Sequence, residues 1–139
     1  MKYDDRYIVE LSRAAIFDDT PFDPGESVDW EYIYNKSIEQ NITGSLFTAV
    51  SKLSDEYQPD KELYVKWKQK MLETIAVTSR QYNEFLKMSK VVSDADIKMV
   101  GLKGCIIRSL YPVPELRTMG DFDVLVAEND LQQIKSIYS

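Results

Sequence analysis

Histidine is absent from the 139 residues, and cysteine occurs once, at Cys105. Without imidazole, histidine-based general-base and triad mechanisms are excluded, and so is a histidine zinc site. One cysteine rules out an internal disulfide and a thiolate zinc centre, and it points to a reducing compartment, the cytoplasm. Positive charge is scarce: 17 Lys and Arg stand against 23 Asp and Glu, a net charge of −6. With no basic stripe to displace phosphate counterions, no nucleic-acid partner is expected. No apolar run approaches the roughly 20 residues that span a bilayer. The opening MKYDDRYIVELS is acidic at once and lacks an apolar h-region, so no membrane partner and no signal peptide are expected. Repeats, low-complexity tracts and flexible linkers are missing too.

What remains is a core-forming composition, 44% hydrophobic and 12% aromatic, of a length suited to one domain or a little more. The first two thirds reads as helices. Tyr7, Ile8, Leu11, Ala14 and Ala15 form one stripe over residues 4–17, and Pro21, Pro24 and Gly25 then break the chain. Ser27 or Asp29 can cap a helix bearing Trp30, Ile33, Tyr34, Ser37 and Ile38. Asn41 to Gly44 interrupts it, and Thr43 can cap a short helix with Leu46, Ala49, Val50 and Leu53. Pro59 suits the first turn of a long helix over about 61–92, roughly 45 Å in length, with Leu63, Trp67, Met71, Ile75, Tyr82, Phe85 and Leu86 as its apolar positions. Trp30, Trp67, Tyr82 and Phe85 recur at helical spacing, so packing is expected of them rather than nucleobase stacking. Lys66, Lys68 and Lys70 read as a solvated surface, and Cys105 as a buried small residue.

The densest signal lies in IKMVGLKGCIIRSLYPVPELRTMGDFDVLV, residues 97–126. It predicts a strand over 97–102, a glycine turn at Lys103-Gly104, a helix over 105–111 and a second, adjacent strand over 121–126. Asp121 and Asp123, two apart on a strand, project from one face, with Cα atoms roughly 6–7 Å apart. Two carboxylates at the rim of a buried strand repel each other unless a cation lies between them. That arrangement points to a Mg²⁺ site for phosphoryl or nucleotidyl transfer. The plainer reading is a solvated strand end with Asx-turns. Gly104 lets backbone approach a phosphate, and Lys103 and Arg117 can supply positive charge to triphosphate oxygens.

The runs Leu102-Lys103-Gly104, Ser109 to Arg117 and Met119 to Val126 resemble the uncharacterised bacterial nucleotidyltransferase family of the DNA-polymerase-beta-like superfamily. The resemblance covers about residues 91–139 and extends less specifically to the helices, including Asp29-Trp30. It implies Asp121 and Asp123 as catalytic metal ligands for Mg²⁺ (or Mn²⁺). It further implies a nucleoside triphosphate held near Lys103, Gly104 and Arg117, and a third carboxylate on a later strand. Lys103-Gly104 stands where the superfamily has Gly-Ser.

The expected fold is α+β: a helical region, 1–92, feeding the first part of a nucleotidyltransferase-like unit, 93–139. After Val126 the sequence offers only one helix, Glu128 to Tyr138, with Leu131, Ile134 and Ile137 on its apolar face. A two-stranded sheet is marginal alone, so completion by further residues or self-association into a homo-oligomer is expected. The alternative is a non-catalytic remnant or assembly module that works through its helical surface.

Overall fold

The computed structural model describes residues 2–25 and 27–139. Six helices and one two-stranded sheet make up the described α+β architecture, joined by short 3₁₀ turns. Helix α1, Tyr3–Phe17, carries Asp4 and Asp5 in its first turn, where acidic side chains complement the helix dipole. It buries Tyr7, Leu11 and Ala14 and ends at Asp18 in the left-handed conformation. The following break returns along α1, because the buried Tyr7 hydroxyl donates to the Phe22 carbonyl at 3.0 Å. Of the two candidate caps, Asp29 caps α2, Trp30–Glu39, its carboxylate accepting from the Tyr32 N–H at 3.0 Å.

Helix α3, Thr43–Val50, departs from the expected capping. Ile42 is the cap, and Thr43 lies inside the helix. Its hydroxyl instead accepts from Ser37, and its carbonyl accepts from the Trp67 indole N–H at 2.8 Å. Helix α4 runs 34 residues, Lys61–Asp94, about 50 Å at 1.5 Å per residue. Asp60 caps it by accepting from the Leu63 N–H, so Pro59 precedes the cap rather than occupying the first turn. Ile38 and Leu86, expected on apolar faces, are exposed.

Tyr7, Leu11, Ala14, Ile33, Tyr34, Leu46, Phe47, Ala49, Val50, Leu63 and Trp67 form one core. Its rings meet edge to face: Trp67 lies 6.2 Å from Trp30 and 5.3 Å from Tyr34. Such pairs add about 0.5–1.5 kcal/mol each beyond area burial. The aromatics thus pack as the helical spacing predicts. The first three turns of α4, through Met71, join this core; the rest of the helix carries the α/β segment.

In that segment, β1, Met99–Gly101, pairs antiparallel with β2, Val124–Val126, as Met99↔Val126, Val100↔Leu125 and Gly101↔Val124. The strands are adjacent, as expected, but half the expected length. Helix α5, Gly104–Ile107, is a single turn continued by 3₁₀ turns at Arg108–Leu110 and Pro114–Leu116. A further 3₁₀ turn, Glu128–Asp130, leads into α6, Leu131–Ile137. The sheet is not buried on both faces as its apolar sequence suggests. Residues 122, 124 and 126 are half-buried, whereas 121, 123 and 125 are exposed, because α4 covers one face only. No helix among the described residues is long and apolar enough to cross a membrane.

Candidate functional site

The antiparallel register brings the Lys103–Gly104 turn to the two aspartates. One step beyond the Gly101↔Val124 pair, the Leu102 N–H donates to the Asp123 carbonyl at 2.9 Å. Asp121 and Asp123 therefore lie in the extended run leading into β2, not within it, and only Asp123 joins the ladder. Alternation still holds: Phe122 turns inward to α4, stacked on Phe85 at 4.6 Å between centroids and 8° between planes. The aspartates flanking it are exposed.

Lys103 reaches across the ladder's end. Its Nζ lies 3.3 Å from Asp123 Oδ2, both side chains at least half exposed at 78% and 50%. An ion pair so solvated contributes little stability; its interest is that a cation already stands beside Asp123. The backbone at Lys103 is strained, with φ 47° and ψ −113°. The Cys105 N–H donates to the Leu102 carbonyl at 3.2 Å, closing a turn with Lys103 close to the first central position of type II′, which favours glycine. A non-glycine there costs on the order of 1–3 kcal/mol. The N–H groups of Lys103 and Gly104 meet no backbone carbonyl among the described residues.

Gly104 is needed for close approach. A Cβ added there would collide with Met119 Sδ and lie 4.0 Å from Arg117 Nη2. Arg117 thus lies beside the turn, its guanidinium 5.8 Å from the Tyr111 ring. Its Nε is buried without a hydrogen-bond partner among the described residues. Arg117 is placed by the preceding 3₁₀ turn, where the buried Leu116 packs against Gly44 of α3. The Thr78 hydroxyl of α4 donates to the Glu115 carbonyl, and Thr118 donates to the Asn41 carbonyl at 3.0 Å. The helical region therefore holds the loop that carries Arg117.

Cys105 is half-buried rather than buried, packed beside Gly101. Sequence reasoning passed over Arg108, which is 7% exposed and stacks its guanidinium 3.8 Å over the Tyr82 ring. No local pattern signals that Arg108 turns inward, since an arginine among apolar neighbours ordinarily points to water.

Asp121 makes no ion pair among the described residues, where no cluster of three or more Asp, Glu, His or Cys side chains suited to a metal occurs. Two hard carboxylates on one exposed face are nevertheless the donor type that Mg²⁺ takes. That ion keeps several waters and is held by one or two carboxylates together with substrate phosphates.

No curated protein and no solved structure matches the chain. The model of a family described as uncharacterised nucleotidyltransferase matches residues 26–138, a span holding every helix but α1 and all five residues of the site. The chain belongs to this uncharacterised nucleotidyltransferase family.

Proposed function

We propose that residues 97–126 form the nucleotide- and metal-binding part of a Mg²⁺-dependent nucleotidyltransferase. The observation that supports this reading best is the meeting of Asp123, Lys103 and Gly104 at the end of the β1–β2 ladder, with Arg117 beside the turn. Asp121 and Asp123 would hold the metal, which supplies charge neutralisation at the phosphates and activation of an acceptor hydroxyl. Lys103 and Arg117 would bind the nonbridging oxygens of the β- and γ-phosphates. The acceptor oxygen attacks the α-phosphorus, its bond to the bridging oxygen breaks, and pyrophosphate leaves with its charge compensated by Arg117. A third carboxylate, outside the pair described, would serve as base or further ligand.

Full-length protein incubated with Mg²⁺ and each α-labelled nucleoside triphosphate should release pyrophosphate and transfer label to an acceptor. Asp121→Asn and Asp123→Asn should each reduce turnover at least about 100-fold, or ~2.7 kcal/mol of barrier, and weaken Mn²⁺ binding in calorimetry. Identical Mn²⁺ isotherms for wild type and both variants would remove the metal site and leave the assembly module as the standing reading.

A further inference from the structure

A metal pair must be held to within about 0.5 Å to act, yet little in the backbone holds this one. Residues 117–123 form no regular structure. Gly120, directly before Asp121, has nothing within 4 Å of where a Cβ would lie. Asp123 has its ladder bond and Lys103. Asp121 has neither.

Between them stands Phe122, the one side chain of the Asp-Phe-Asp run that packs on the fold. Its ring lies flat on Phe85 and 6.5 Å from Tyr82. Tyr82 and Phe85 are themselves 6.2 Å apart on successive turns of α4. The Tyr82 ring is covered in turn by Arg108, buried and without an ion-pairing carboxylate among the described residues although the chain is acidic. A desolvated guanidinium over a ring is held by cation–π attraction, so Arg108 holds the Tyr82 ring. The three rings form a cluster in which Phe122 meets both Phe85 and Tyr82 of α4, and Arg108, from the 3₁₀ turn after α5, lies over Tyr82.

We propose that this cluster is the positioning device of the site: Phe122, seated on Phe85 and beside a Tyr82 ring that Arg108 holds, fixes the backbone from which Asp121 and Asp123 project. The residue between the two acids then acts through its ring plane, not merely its hydrophobicity. The inference deepens the metal-site reading and rests on it for its functional arm alone.

Two variants of the full-length protein separate shape from bulk. Phe122→Tyr keeps the ring and should keep wild-type Mn²⁺ affinity and wild-type order at Asp121. Phe122→Leu keeps an apolar side chain without a plane, and should weaken Mn²⁺ binding about tenfold while thermal unfolding stays cooperative. By NMR, its Asp121 amide order parameter should fall from the rigid value near 0.85 to below about 0.6. Arg108→Ala should shift both readouts in the same direction by less. Unchanged Asp121 order in a folded Phe122→Leu overturns the proposal whether or not metal binds. Absence of Mn²⁺ binding by wild type overturns the metal site instead, and the order parameters still decide the cluster.

Discussion

The two ends of α4 belong to differently built regions. Its first three turns seal a core in which Leu11, Ala14, Ile33, Leu46, Ala49, Val50 and Trp67 have no exposed surface. Along its last turns the same helix carries a segment where Ile97, Arg108 and Leu116 are buried, while Val100, Ile106, Leu110 and Leu125 are largely exposed. Helices can close a core among themselves, because each brings a full apolar stripe. A two-stranded sheet brings two faces and covers only one. The groups suited to chemistry lie on the thinly packed side, where side chains remain free to meet a ligand. Their positions are borrowed from the helices through several ties: Leu116 against α3, the Thr78 and Thr118 hydrogen bonds, and Phe122 against α4.

The comparison breaks first at Trp67. Trp67→Ala removes a fully buried ring, its hydrogen bond to the Thr43 carbonyl and two edge-to-face pairs. A loss of about 3–5 kcal/mol is expected, read as a large drop in the urea midpoint. Because the ties run from the helical core outward, the α/β segment should unfold with it. A segment that kept its hydrogen-exchange protection would show that it folds on its own.

Leu116→Ala tests the reverse direction. It should cost about 2–3 kcal/mol, the lower part of the range for deleting a buried leucine, because the exposed loop around it can relax. Both tryptophans, Trp30 and Trp67, sit in the helical core, so fluorescence reports that region alone. The fluorescence transition should move little, while amide exchange over residues 99–126 accelerates. Equal losses in both probes would mean one cooperative unit.

Acid should weaken the helical region selectively. The buried Glu10 carboxylate accepts from Arg13 Nε and Nη2, both at 2.8 Å, and from the Phe22 N–H at 3.2 Å. The Arg13 hydrogen bonds hold its pKa below the ordinary value near 4.5 against the opposing effect of burial. Asp19, on the other side of Arg13, is lowered by the same guanidinium. A carboxylate with a depressed folded pKa stabilises fully above its unfolded pKa and loses that contribution as pH falls through the folded value. Stability should therefore be level from pH 7 to about 5 and decline below about 4.5, with a shallower decline in Glu10→Gln, measured by urea titration at each pH.

Much of this was legible from residue order because helices announce themselves locally. Asp29 at a cap and the spacing of Tyr7, Leu11 and Ala14 depend on neighbours four residues away, and α1 and α4 fall within two residues of expectation. The strands were harder: an apolar run of six gives no sign that only three residues find partners, since pairing depends on a segment 25 residues off. The site was legible as residues, not as geometry. That Lys103 would pair with Asp123 follows from the register, which no local pattern encodes. Arg108 was missed because an arginine among Ile106, Ile107 and Leu110 ordinarily points to water; here the apolar neighbours are exposed and the arginine is inside.

The smallest effect has the sharpest sign. Lys103 occupies a positive-φ position in the turn that meets Asp123, where glycine has no steric penalty. Lys103→Gly relieves that strain, adds freedom to the unfolded chain, and removes an exposed ion pair worth little. The net should be a gain of about 0.5 kcal/mol, within the range for substitutions that suit the native backbone, seen as a slightly higher urea midpoint. Triphosphate affinity should move the opposite way, because the ammonium beside the metal pair is gone. Strain kept at a position where a common substitution would relieve it is the mark of a side chain retained for its chemistry. A variant that loses both stability and affinity would place Lys103 among the structural residues. One that gains stability and binds nucleotide as before would remove it from the site, leaving Arg117 as the sole cation at the turn.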